Sequence, residues 1–179
     1  SEMLNKEYSK ERALTIGNKR SKDGEIYPGD LKKYDESPDT THYSIIDSYG
    51  NAVSNTYTLG SSFGSGVTVS KGGFLMNNQM RNFSHFYGTE ENTFGSSEAN
   101  RLEPGKRMIS TQTPTLVFDK DDNLMMILGS PGGGRIPNII TQVISNVIDN
   151  GLSFTEAVMA PRINQRLEGK LHLENGFSP

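Results

Sequence analysis

Along this 179-residue chain, short stretches of strand-like hydrophobic spacing stand between polar and glycine-rich segments, and a helical spacing appears near the end. Tyr43 to Asp47 and Ala52 to Leu59 read as two strands, and Asp47-Ser48-Tyr49-Gly50-Asn51 between them is rich in turn residues. The pattern predicts a hairpin. A second is predicted from Thr115 to Phe118 and Leu124 to Leu128, with Asp119-Lys120-Asp121-Asp122-Asn123 as its turn. Between the two, Gly60 to Gly73 reads as a glycine-rich loop and Phe74-Leu75-Met76 as a short buried strand. Residues 84–105 read as a long polar loop, a length usually reserved for function or disorder. From Ile139 the period changes: Ile139, Ile140, Val143, Ile144, Val147 and Ile148 fall at helical spacing. Pro137 suits the first turn of that helix and Gly151 its stop. Ser153 and Glu156 form a capping box opening a second short helix, which should end before Pro161. Leu171 and Leu173 mark a last strand, and residues 1–20 support only a short helix. Strand pairs followed by helices point to an α+β protein, two stacked antiparallel sheets covered by helices.

Composition narrows this picture. Only 33% of residues are hydrophobic and 19 are glycine, which suits a loop-rich α/β protein or a piece of a larger one. A net charge of −3 gives no general attraction to nucleic acid or to an anionic membrane. With no cysteine, disulfides and thiol chemistry are excluded. No apolar run is long enough to span a bilayer. Asp119, Asp121 and Asp122 lack the spacing of a calcium loop and read as a solvated hairpin tip, while His42, His85 and His172 are too scattered for a metal site.

Candidate chemistry centres on Asp39-Thr40-Thr41-His42-Tyr43-Ser44. A threonine hydroxyl is a poor nucleophile because its proton must leave as it attacks. A cut just before Thr40 would give it an α-amino group with a pKa of about 7.7–8.0 as a built-in base. Thr58, eighteen positions on, comes near Thr40 if the hairpin folds back; it is otherwise a surface threonine with β propensity. Asn77 to Phe83 is a polar block that either faces a pocket or caps turns. Gly129-Ser130-Pro131-Gly132-Gly133-Gly134 precedes a helix N-terminus. Backbone donors there favour negative charge, so an oxyanion hole and a plain strand-to-helix turn both fit.

Taken in order, Thr40-Thr41-His42-Tyr43-Ser44, Thr56-Tyr57-Thr58-Leu59, Phe63-Gly64-Ser65-Gly66, Asn77-Asn78-Gln79-Met80, Pro114-Thr115 and Gly129-Ser130-Pro131-Gly132-Gly133 resemble the small subunit of γ-glutamyltranspeptidases. Ile26-Tyr27-Pro28-Gly29-Asp30-Leu31 resembles the end of the large subunit. The resemblance implies the αββα sandwich of N-terminal-nucleophile hydrolases. It divides the chain into a large-subunit end over 1–39 and a catalytic small subunit over 40–179, truncated at its C-terminus. It implies self-cleavage between Asp39 and Thr40, Thr40 as nucleophile, Thr58 as its orienter, and Gly132 and Gly133 as oxyanion donors. Ser110 and Thr111 match the family's paired serines that contact the substrate α-carboxylate, and Gln79 a position that binds its amino group. The implied partners are the large subunit of the same precursor and a small-molecule or polymeric γ-glutamyl substrate. No cofactor and no metal is implied, and the location is secreted, periplasmic or at the cell surface.

The chain departs from the family at three places. Asn82 stands where an aspartate usually pairs with the substrate ammonium, preceded by Arg81; Gly60 stands where asparagine is frequent; Phe94 takes the place of a lid tyrosine. A neutral amide forgoes a charge-assisted bond about twice as strong as a neutral one. Two alternatives stay open beside the γ-glutamyl enzyme: an uncleaved chain that only binds γ-glutamyl compounds, and a cephalosporin-acylase-like amidase.

Overall fold

The computed structural model describes residues 40–84, 98–165 and 171–177, together with Lys6, Lys10 and Leu14, which are helical. The proposed division at 39/40, His85 and Phe94 lie outside or at the edge of the described residues. Ten elements follow in order: β1 (Thr40–Ile46), β2 (Ala52–Thr58), β3 (Thr68–Val69), β4 (Phe74–Leu75), β5 (Thr115–Phe118), β6 (Leu124–Leu128), α1 (Ile136–Ile148), α2 (Phe154–Met159), β7 (Ile163–Gln165) and β8 (Leu171–Leu173). The strands form four antiparallel pairs, β1–β2, β3–β4, β5–β6 and β7–β8.

Both expected hairpins form, with one difference that matters. β1 begins at Thr40, three residues earlier than the apolar pattern indicates. The β-branched Thr40 and Thr41 extend the strand because β2 offers them partners: Thr40 lies opposite Thr58 and Thr41 opposite Tyr57. The glycine-rich stretch hides the two-residue strand β3, paired to β4. Phe74 is 57% exposed, contrary to the buried strand expected there; two residues of ladder are too short to cover it. β7, which the sequence does not signal, pairs with the expected β8.

The core lies between the second hairpin and the helices. Met126 and Leu128 of β6 pack with Ile136, Ile140 and Val143 of α1 and Ala157 of α2. Alternation along β6 and the i, i+4, i+7 spacing along α1 bring these apolar faces together. Ile136 is the largest fully buried side chain among the described residues, and it sits at the first position of α1. Its burial anchors the helix start, and so the glycine turn just before it. Gly151, at φ 68°, ends the α1 connection, and the Ser153–Glu156 capping box starts α2.

The first hairpin joins this unit differently. Ser54 Oγ donates to the Leu128 carbonyl at 2.9 Å, and Ser44 Oγ to the Ile127 carbonyl at 3.4 Å. Helices, the β5–β6 pair and the β1–β2 pair thus succeed one another. The outer side of β1–β2, with Tyr43, Ile45, Val53 and Tyr57, is exposed.

Candidate active site

Thr40, His42 and Ser44 share one face of β1, and their register partners Thr58, Thr56 and Ser54 share the matching face of β2. Five hydroxyls and one imidazole therefore make a single polar face, turned toward β6. Directly opposed side chains in such a pair have Cβ atoms about 4.5–5.5 Å apart, within reach of a hydroxyl–hydroxyl bond between Thr40 and Thr58. Thr58 Oγ1 accepts the Gly60 N–H at 2.9 Å. That bond fixes the side chain.

On one side of the threonines lies the polar block. Gly60, buried and at φ 96°, has no room for a side chain: a Cβ there would strike Asn78 Oδ1 and sit 3.5 Å from Gln79 Nε2. Asn78 is held in turn, its N–H on the Leu59 carbonyl and its amide bonded to Ser61 N and Oγ. Gln79 to Asn82 form a short 3-10 turn, in which Asn82 Nδ2 donates to Gln79 Oε1 at 2.7 Å. Arg81 reaches Ser61 Oγ at 3.2 Å. Gln79 and Asn82, both expected at the site, are thus bonded to each other beside the end of β2. An asparagine at position 60, frequent in the family this chain resembles, would not fit unless Asn78 moved.

On the other side lies the glycine turn. Gly132 at φ 134° and Gly133 at φ 58° are conformations that side chains resist, and they lead through a short 3-10 turn over Gly133–Arg135 into α1. The Gly132 carbonyl accepts from Arg135 N, whereas the N–H groups of Gly132 and Gly133 have no acceptor among the described residues. Thr111 Oγ1 donates to the Gly133 carbonyl at 3.0 Å. Ser110, its neighbour, is exposed and its Oγ accepts from Gln112 N. The turn joins the threonine strand through His42, whose ring lies against Gly129.

A continuous path of contacts therefore runs from Asn82 and Gln79, past Gly60, to Thr58 and Thr40, and by His42 and Gly129 to the glycine turn and Thr111. Among the described residues the charges along it are cationic, Arg81 and Arg135, and no carboxylate belongs to it. His42 is held below the usual imidazole pKa by desolvation, which keeps it neutral near pH 7. Sequence reasoning sets His42 aside as a metal ligand but does not find its contact with Gly129, nor the parts of Ser44, Ser54 and Thr56. The alternation of hydroxyl residues at 40, 44, 54, 56 and 58 is a signal that could have found them.

A strand-borne threonine pair lies beside a glycine turn at a helix N-terminus in an α+β protein of antiparallel strand pairs and helices, and its likeness to solved gamma-glutamyltranspeptidases makes the fold that of the N-terminal-nucleophile hydrolases. The model of the gamma-glutamyltranspeptidase family matches residues 1–179, and the chain belongs to that family. It is 45% identical over 181 residues to the glutathione hydrolase proenzyme of Escherichia coli, an alignment covering 99% of this chain and 31% of that protein. It is 38% identical over 128 residues to the acylase ACY 1 proenzyme of Pseudomonas sp., covering 72% of this chain and 21% of that one. Among solved structures, a mutant of the Helicobacter pylori gamma-glutamyltranspeptidase superposes with a TM-score of 0.68 at 44% identity, covering 78% of this chain and 75% of that one. The chain spans between 21% and 31% of the length of the curated relatives it matches here.

Proposed function

We propose that this chain carries the catalytic part of an N-terminal-threonine γ-glutamyl hydrolase and transferase. The observation that carries the proposal is the register placing Thr40 directly opposite Thr58, with Thr58 Oγ1 held by Gly60 N–H. In the precursor, Thr40 Oγ attacks the Asp39 carbonyl carbon. The peptide C–N bond breaks, the proton passes to the departing nitrogen, and water hydrolyses the resulting ester. The freed α-amine of Thr40 then takes the hydroxyl proton as Oγ attacks the γ-amide carbon of a donor. It delivers that proton to the leaving amine, and the acyl ester passes to water or to an acceptor amine. Thr58 donates its hydroxyl proton to Thr40 Oγ and orients it. The Gly132 and Gly133 N–H groups meet the tetrahedral oxyanion, where losing one donor typically costs about 2.7–4 kcal/mol of barrier.

Ser110 donates its hydroxyl to the donor α-carboxylate, Thr111 joins it there once its hydroxyl turns from the Gly133 carbonyl, and Gln79 and Asn82 meet the region of the α-nitrogen. Asn82 stands where a carboxylate is expected, and none lies on the path among the described residues, so the described side chains offer a free ammonium only neutral acceptors. The donor class this favours is γ-linked glutamate whose nitrogen is acylated, as in the interior of poly-γ-glutamate, over free glutathione. The same lack of a described carboxylate and the likeness to an acylase proenzyme support a second reading, an amidase for acyl donors without an α-amine. The large subunit of the same precursor is the partner, with residues 1–39 as its end. The location is secreted, periplasmic or cell-surface; among the described residues no helix is long and apolar enough to cross a membrane.

Intact-mass measurement of the full-length protein tests the core of this. Two fragments dividing at Thr40, and a Thr40→Ala variant that stays whole, are expected. An uncut wild-type chain without amidase activity would leave a protein that only binds γ-glutamyl compounds. Hydrolysis of N-acylated or polymeric γ-glutamates should exceed that of free γ-glutamyl anilides; a strong preference for the free amine would refute the donor class.

A further inference from the structure

Gly129 opens the strand-to-helix turn, yet its backbone does not require glycine: it is absent from the glycines with positive φ, unlike Gly132 and Gly133. What excludes a side chain there is the imidazole of His42. A Cβ on Gly129 would overlap the ring at Nδ1 and Cε1 and lie 2.8 Å from Cγ. The ring is pinned at both nitrogens, with Nδ1 2.9 Å from Thr56 Oγ1 and Nε2 3.0 Å from Ser44 Oγ. Ser44 Oγ donates onward to the Ile127 carbonyl, two residues before Gly129. Because that hydroxyl proton is spent on Ile127, Ser44 can only accept from the ring, so Nε2 carries the hydrogen and Nδ1 accepts from Thr56. All three bonds run in one direction and tie β1, β2 and β6 to one flat spacer. His42 also lies on the Thr40 face of β1, two residues from it.

We infer that His42 is a positioning residue, wedged between the threonine strand and Gly129, that sets the distance from the Thr40–Thr58 pair to the N–H groups of Gly132 and Gly133. The inference rests on Thr40 being the nucleophile. Ring and glycine form a matched pair: the ring fills the space a side chain would take, and the missing side chain lets the ring approach. The hydroxyl partners keep the plane of the ring fixed, so the gap is set by a rigid group with few rotamers. Losing the wedge moves the nucleophile relative to the oxyanion donors while the polar turn over Gln79–Asn82 is untouched.

The test is a double-mutant cycle in the full-length protein with Gly129→Ala, His42→Ala and both together, read by kcat and KM for amide hydrolysis and by melting temperature. Gly129→Ala should lower kcat at least about tenfold with KM within about twofold, since displacement of an attacking group by about 1 Å costs up to about 10²-fold. In the His42→Ala background the same change should cost less than about twofold, the non-additivity expected of touching groups. Equal kcat losses with and without the ring would overturn the inference. So would melting temperatures that fall by the same amount in both backgrounds, or a kcat left unchanged by either single variant. Should the wild-type protein prove inactive, the proposed function fails on that result, and the assigned positioning role fails with it; the melting-temperature cycle then reports only whether ring and glycine are wedged.

Discussion

Hairpin β1–β2 turns through Asp47 to Asn51 and hairpin β5–β6 through Asp119 to Asn123, and the two turns are bonded alike. In the first, Asp47 Oδ1 accepts from Tyr49 N and Asn51 N, and Asn51 Nδ2 donates to Asp47 Oδ2. In the second, Asp119 Oδ1 accepts from Asp121 N and Asn123 N, and Asn123 Nδ2 donates to Asp119 Oδ2. The fourth turn residue has positive φ in both: Gly50 at 86° and Asp122 at 63°. Beyond their turns the hairpins diverge. β6 turns Met126 and Leu128 into the core with α1, whereas β1 and β2 turn a histidine and five hydroxyls toward β6. Turn chemistry builds a hairpin whatever it is for; the residues on one face decide whether it stabilises the fold or hosts reactions.

The largest effect expected from breaking this division is at Thr40. Thr40→Ala should leave the chain uncut and lower amide hydrolysis by about four orders of magnitude, as for loss of a covalent nucleophile, while the melting temperature barely moves. The same truncation on the structural hairpin should do the reverse. Met126→Ala is expected to cost about 3 kcal/mol of unfolding free energy by denaturant titration, because it leaves a cavity against α1. Ser54→Ala, on the hydroxyl seam, should cost about 1 kcal/mol by the same titration, the net worth of one hydrogen bond. Between these, Thr58→Ala should lower kcat about 10²-fold, the scale of a group that orients a nucleophile. Exchanging the turns sharpens the comparison further. Asp122→Gly relieves a left-handed side chain and should raise stability by about 0.5–1 kcal/mol, and Gly50→Asp should lower it by a similar amount.

The smallest effect is the acid limb. Hydrogen bonds from Asn51 and Asn123 hold Asp47 and Asp119 below the usual aspartate range. A depressed folded-state pKa adds stability that is complete above the unfolded value, about pH 4, and fades as pH falls through the folded one. Melting temperature should therefore drop more steeply below about pH 4 in the wild type than in Asp47→Asn or Asp119→Asn, whose turns no longer carry that charge.

The amino-acid order alone determines the local elements. Both Asp-led turns, the helical spacing of α1, the capping box of α2 and the glycines ahead of Ile136 are legible because each depends on neighbours within a few residues. Short-range signals fade where the partner is distant. Thr40 and Thr41 join β1 because Thr58 and Tyr57 lie opposite, and β3 and β7 exist because β4 and β8 pair with them. Only the tertiary structure decided that Gly129 is small for the sake of a ring 87 residues earlier, that Thr111 braces Gly133, and that Asn82 spends its amide on Gln79. Those are contacts across the chain, and their energies depend on where long loops return, which no window of sequence encodes.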